Sequence, residues 1–255
     1  MRRIRVIPLM LIDNGKAVVT RQFSKPIYVG DPINAIKVFN EKEVDEMLVV
    51  DITDPSKMPE PDFELLSKLA SESFMPLTYG GRVSTMKQVE TIIGCGIEKI
   101  SFNTSIFDHP ELITEVATRY GKQGVVASID IKRNLFGKSV IRINRGRQSV
   151  NMNLEQCAAH LMRIGVGEIA LTSIDHDGMM GGYHYDLIQQ LSKLVNVPII
   201  ACGGASSVTD FVKAVDMGAS AVAAGAMFYF KGGFSAILIN YPEQQVLKND
   251  LYEKI

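Results

Sequence analysis

Asp130 stands near the end of an apolar run, VVASIDIKR over residues 125 to 133, so a strand there would carry its carboxylate to the strand exit. In that place it could transfer a proton or orient an amine, while a salt bridge to Lys132 or Arg133 is the equally weighted structural alternative. Asp51, Asp175 and Asp177 also fall at strand ends or in the loops that follow. The string Asp175-His176-Asp177-Gly178 sets acids beside an imidazole, but it lacks the spacing and further ligands of a metal centre, and no metal is expected. His176 reads either as solvent-facing or as a substrate contact. Glycines 178, 181 and 182 mark the segment as a loop able to close and exclude water.

Two further groups concern charge. Gly80 and Gly81, with Asn103, Thr104 and Ser105, offer amides and hydroxyls of the kind that hold phosphate, and Gly203, Gly204, Ala205 and Ser206, with Gly225 and Ala226, repeat the pattern later in the chain. Such a pair of nests would suit a substrate with separated anionic ends; the ordinary use of glycine is turns and close packing. Arg5, Glu46, Lys99 and Glu168 fall at the starts of predicted strands and alternate in sign. An exposed ion pair contributes only about 0 to 1 kcal/mol, so the interest of this set is a ring around an opening rather than stability.

These residues need a frame that brings strand ends together. Apolar runs predict strands over residues 4–12, 47–52, 75–78, 99–102, 124–129, 169–173, 197–201 and 221–224, several of them continuous, as strands covered by helices require. Three- and four-residue apolar spacing predicts helices over 32–39, 62–69, 86–93, 111–118, 154–164, 185–194 and 208–217. Eight units in 255 residues average about 32 residues each, a size that fits an α/β chain folded as a (β/α)8 TIM barrel, with a doubly wound sheet as the alternative. DEMLVVDIT at 45–53 is echoed by GEIALTSID at 167–175, and PLTYGG at 76–81 by PIIACGG at 198–204, which predicts an internal half-barrel duplication within one domain. Residues 133–151 break the rhythm as an inserted hairpin, with a strand over 139–144 and a turn at Arg145 and Gly146; it would either cover a substrate or decorate the surface.

The balance of 27 Lys and Arg against 28 Asp and Glu gives a formal charge of -1 and no basic field for nucleic acid, leaving small anions and other proteins as partners. Three separated cysteines without a C-x-x-C pair suggest neither a disulfide framework nor a soft metal site, which points to a reducing, cytoplasmic setting. The start MRRIRVIPLML is basic and then apolar but is interrupted at Asp13, so it is read as a first strand, with no membrane span.

The segments GDPINAIKVFNEKEVDEMLVVDIT (30–53), YGG (79–81), EKISFNTS (98–105), ASIDIKR (127–133), LTSIDHDG (171–178), GGYHYDLI (181–188) and ACGGAS (201–206) together resemble the cyclase subunit of imidazole glycerol phosphate synthase, over nearly the whole chain. The resemblance implies a barrel without a cofactor, served by a separate glutaminase whose ammonia crosses the barrel to a phosphorylated substrate. It implies a charged gate at Arg5, Glu46, Lys99 and Glu168, an acid or base at Asp130, phosphate contacts near Gly81, Asn103, Thr104, Gly204 and Gly225, and an active-site lining of Asp51, Thr172 and Asp177.

One stretch departs from that family. Where its members resemble CLDVKDG, this chain has PLMLIDNG at 8–15, which puts Leu11 where the first catalytic carboxylate is expected, and leucine moves no proton. Met10 and Ile12 supply no acid either; Asp13 has the same strand parity and is the possible replacement acid, and Val19, Thr20 and Arg21 surround the place of a phosphate-contacting lysine. The altered first loop, including QFSKPIYVGDP at 22–32, resembles instead a cyclase-like branch tied to bacterial surface sugars, in which a glutaminase, this barrel and a further amidotransferase convert an acetamido to an acetamidino sugar. The expected function is accordingly ammonia-dependent chemistry on a phosphorylated small molecule in surface polysaccharide synthesis. The alternatives are histidine-pathway cyclisation and a noncatalytic ammonia conduit.

Overall fold

Strand-forming runs rich in Val, Ile, Leu and Ala alternate with amphipathic helices along the chain, and in the computed structural model, which describes residues 4–134, 136–231 and 236–255, the strands close on themselves. The strands are β1 (Arg5–Asp13), β2 (Met47–Asp51), β3 (Leu77–Gly80), β4 (Lys99–Phe102), β5 (Val125–Arg133), β6 (Glu168–Ser173), β7 (Ile199–Cys202) and β8 (Ala221–Ala224). Each is parallel to the next, β8 returns to β1 with Arg5 opposite Ala221, and β5 meets β6 with Asp130 opposite Thr172. No edge is left open, so this is a (β/α)8 TIM barrel rather than a doubly wound sheet.

Helices α1 (Pro32–Glu41), α2 (Phe63–Glu72), α3 (Met86–Gly94), α4 (Pro110–Tyr120), α5 (Leu154–Ile164), α6 (Tyr185–Ser192) and α7 (Val208–Asp216) make the crossovers. Side chains that fold back on the first turn begin several of them: Asp31 caps α1, and reciprocal capping boxes pair Thr85 with Gln88 and Asn153 with Gln156. Strand parity divides the apolar residues into two cores. Val6, Met10 and Ile12 face the helices in the larger cluster, while Ile7, Leu48, Val126, Ala170, Ile200, Ala221 and Ala223 fill the barrel axis.

The half-barrel echo lands on equivalent places. A short helix follows β4 at Ser105–Asp108 and another follows β8 at Ala226–Tyr229, so both halves end in the same strand, turn and helical stub.

Two segments differ from the sequence expectation. The stretch after β1 is not an open loop: Lys16–Val19 and Ile27–Gly30 are strands, with Leu11 opposite Val18 and Asp13 opposite Lys16. Asn14-Gly15 turns the chain with φ of 50° and 73°, the left-handed pair that a two-residue hairpin needs. The fifth strand runs to Arg133 instead of ending at residue 129, because its last residues pair with Ser139–Ile143, Asp130 opposite Arg142 and Arg133 opposite Ser139. Within residues 133–151, Ser139–Ile143 thus extends β5 as an antiparallel strand, and the chain turns at Asn144, Arg145 and Gly146, with position 135 outside the described residues.

Candidate active site

The carboxyl ends of the strands form one mouth of the barrel, and Asp130 sits inside it, 8% exposed. Asn103 Nδ2 donates to Asp130 Oδ2 at 3.1 Å and to the Ser128 carbonyl at 2.9 Å, so the β4 loop positions the carboxylate. Neither Lys132 nor Arg133 is its hydrogen-bond partner, and the salt-bridge reading gives way to a buried acid. Burial, then the nearby Asp177, push the Asp130 pKa up to about 7 against the hydrogen bonds from Thr172 and Asn103. A carboxyl half-protonated near neutrality can give or take a proton.

Asp177 ties the first loop to the mouth. Its Oδ2 accepts the Thr20 hydroxyl at 2.7 Å and the Phe23 amide at 3.3 Å, and its carbonyl accepts the Gln22 amide at 2.8 Å. Burial raises its pKa despite these bonds. Asp51 is engaged otherwise: Oδ1 takes the Thr53 amide at 2.9 Å, and Oδ2 pairs with Arg82, whose other terminal nitrogen donates to the Met58 carbonyl. Burial nonetheless raises the Asp51 pKa. Asp13, at the end of β1, accepts from its neighbour Asn14 at 2.9 Å.

The glycine nests lie on opposite sides of the mouth, after β3 and β4 and after β7 and β8. A cleft at the second nest is lined by Gly203, Gly204 and Gly225 together with Leu9, Leu11, Thr20 and Asp177. Gly204, at φ 116°, leaves no room for a side chain: a Cβ would meet the Gly182 carbonyl and stand 3.0 Å from the His176 Cβ. Gly204→Ala is expected to destabilise the fold by about 1 to 3 kcal/mol, checked by thermal denaturation. At the first nest, Gly81 (φ 125°) would drive a Cβ into the Asp51 carbonyl, the Thr104 hydroxyl accepts the Asn144 amide at 3.1 Å, and the Ser105 hydroxyl donates to the Val83 carbonyl at 2.5 Å.

The inserted hairpin lies across this mouth. Arg145 reaches Asp54 in the β2 loop at 3.1 Å, Asn144 bonds Thr104 in the β4 loop, and Gly146 packs between Phe23 and Ile174. It thus bridges the loops of four strands.

The opposite mouth carries the charged set. Arg5 pairs with Glu46 at 2.5 Å and with Glu168; Lys99 pairs with Glu46 at 2.9 Å and Glu168 at 3.3 Å, closing a four-membered ring of alternating charge. Thr78 adds a hydrogen bond to Glu46 at 2.7 Å. Burial works against both charges, yet the partners outweigh it: the Glu46 pKa is lowered by Lys99 and Arg5, and that of Arg5 is raised by Glu168 and Glu46. Between ring and mouth the axis holds an apolar cluster, with the buried hydroxyls of Thr78 and Ser101 beside it and with Cys202 among its residues, its thiol pushed up to about 12 by burial and so neutral.

A family model described as histidine biosynthesis protein matches residues 5–233. The chain is 42% identical to a provisionally named imidazole glycerol phosphate synthase subunit hisF2 of Pseudomonas aeruginosa, over 95% of this chain and 97% of that one. It is 41% identical to a provisionally named subunit hisF3 of Vibrio vulnificus, over 98% and 97%. The imidazole glycerol phosphate synthase subunit HisF of Streptomyces coelicolor is 36% identical over 89% and 90%. The chain belongs to the HisF family.

Within this HisF-family barrel the structure assembles Asp130, Asn103 and Thr172 at one point and Asp177, Gly204 and Gly225 at the cleft, and it draws Asp51 into a buried ion pair. Sequence reading passed over Arg82, the pairing of the turn residue Arg145 with Asp54, and the role of Thr20 as the anchor of Asp177. Arg82 had a signal, a cation directly after a glycine pair in YGGR. The other two are long-range pairings, 91 and 157 residues apart in sequence, with no local mark. Among the described residues no helix is long and apolar enough to cross a membrane, and no three His, Cys, Asp or Glu residues are gathered to hold a metal.

Proposed function

We propose that this barrel takes ammonia from a glutaminase partner at the mouth bearing Arg5, Glu46, Lys99 and Glu168, and uses it on a phosphorylated small molecule at the other mouth, in the synthesis of an acetamidino sugar of a surface polysaccharide. Ammonia is small and neutral, and the apolar cluster on the axis, with its neutral thiol, favours the neutral molecule over ammonium. At the far mouth, Gly81, Asn103 and Thr104 face Gly204 and Gly225 across the opening and suit two anionic ends, while Asp130 moves the proton of the reacting nitrogen. The closed hairpin over the mouth keeps water from the intermediate.

The observation that carries the choice of pathway is Leu11. It lines the cleft from β1 at the position where the histidine-pathway enzyme presents an acid. Asp13 lies two residues farther, roughly 7 Å along the strand at about 3.3 Å per residue, and is bonded to Asn14. A barrel that keeps the ring and Asp130 but loses this acid has changed its substrate while keeping its nitrogen source.

Purified protein, supplied with ammonium and either the phosphorylated histidine-pathway intermediate or phosphorylated and nucleotide-linked acetamido sugars, separates the readings. Nitrogen-15 from ammonium is expected in a sugar-derived product, with imidazole glycerol phosphate formation at least a hundredfold below that of a HisF with the β1 acid. Robust imidazole glycerol phosphate formation would restore the histidine-pathway reading with Asp13 as the acid. Passage of ammonia without any conversion would leave a conduit.

A further inference from the structure

Three basic side chains converge on the outer edge of the Asp130 mouth. Arg133, the last residue of β5, sets Nη2 2.9 Å from Nε2 of His184, which precedes α6. The His184 ring meets that of His176 edge-on, centroids 5.3 Å apart, and His176 Nδ1 lies 2.9 Å from the Ser173 hydroxyl. A guanidinium only donates hydrogen bonds, and Nδ1 of His184 already takes the Leu187 amide at 3.3 Å as the cap of α6, so the Arg133 and Leu187 contacts compete for the single acceptor nitrogen of a neutral ring.

The arginines described at the two mouths, Arg5, Arg82 and Arg145, have carboxylates as partners. The guanidinium of Arg133 bonds an imidazole instead, as that of Arg163 does with His160 on α5. The acids near the cluster are Asp175, which accepts the backbone amide of Arg133 at 2.8 Å, and Asp186 on α6. Both imidazoles are held below their ordinary pKa, His176 by burial, His184 and Arg133, and His184 by burial and Arg133. Positive charge is thus crowded here, and an entering anion would relieve it at all three residues together. His176 also adjoins the second glycine nest, its Cβ 3.0 Å from where a Gly204 side chain would begin.

We infer that Arg133, His184 and His176 form a binding site for a phosphate or diphosphate oxygen of the substrate, beside the Gly204 nest and distinct from it. Arg133 supplies a planar fork of donors, His184 can offer Nε2–H while its Nδ1 caps α6, and His176 gains a second donor once the anion favours its protonation. The inference rests on the reading that this mouth takes a phosphorylated molecule, and it deepens that reading by adding an anion subsite on the β5 and β6 side.

The test titrates the full chain, with nitrogen-15 in its four imidazoles and its amides, with inorganic pyrophosphate at pH 6.5. Expected are saturable shifts of the His176 and His184 rings, with their titration midpoints moved upward, while His109 and His160 stay at rest. Arg133→Gln and His184→Gln should each weaken binding about tenfold; Arg133 is exposed, so the first variant keeps the fold. Movement of the Gly204 and Gly225 amides with both rings unmoved, or wild-type affinity in Arg133→Gln, would overturn the inference and leave the phosphorylated-substrate reading standing. Silence at nests and rings alike would overturn both.

Discussion

Asp130→Asn is expected to remove nitrogen transfer and, at pH 8, to make the protein more stable. Loss of a positioned acid or base lowers turnover by about 10²- to 10⁴-fold. The stability effect has its own sign. Asp130 titrates near 7 in the fold and near 3.9 in the unfolded chain, so the folded state holds the proton more tightly. Between those values stability falls as pH rises, because only the unfolded carboxyl ionises freely; above 7 the fold carries the whole cost of a buried charge. The three-unit difference corresponds to about 4 kcal/mol at most, and asparagine, neutral at every pH, avoids it. Denaturant titrations at pH 4 and pH 8 should show the variant equal to the parent at the lower pH and on the order of 2 to 4 kcal/mol more stable at the higher. Undiminished turnover would remove Asp130 from the chemistry, and equal stability at both pH values would remove the raised pKa.

At the opposite mouth, Glu168→Gln should separate the two ways of feeding the barrel with nitrogen. The substitution leaves Arg5 and Lys99 to share Glu46 alone. Breaking a fully buried pair costs about 3 to 5 kcal/mol; since the Arg5 and Lys99 side chains keep 29% and 21% of their exposure, about 2 to 3 kcal/mol is expected here. In a glutaminase-coupled assay, glutamine-driven turnover should fall at least tenfold while turnover on added ammonium, entering from bulk solution at high concentration, stays within twofold. A parallel loss of both activities would mean that the ring serves the fold and does not govern passage.

Much of this architecture was legible from local pattern. Eight apolar runs with amphipathic segments between them specify strands and helices, because burial on both faces of a strand and on one face of a helix leaves different spacing. Strand ends were less legible: β5 runs to Arg133 because Ser139–Ile143 pairs with it, and that pairing belongs to the insertion rather than to the apolar run. Asn14-Gly15 was a readable hairpin signal that was passed over, and with it the two strands after β1. The position of Asp130 at a strand exit was readable; its partner was not, since Asn103 lies 27 residues away and the nearby Lys132 and Arg133 were the obvious alternatives.

What the chain determined by itself was the alternation of strands and helices, the echo between its halves, and the residue types available at each strand end, all of which follow from periodicity and composition. Only the closed structure decided which charges meet. It closed Arg5, Glu46, Lys99 and Glu168 into a ring, drew Asp51 to Arg82, and buried Asp130 near Asp177 so that its proton is held near neutrality. The reason is that an ionisable group's behaviour depends on desolvation and on charges within a few ångströms. In a closed barrel those neighbours come from strands far apart in sequence.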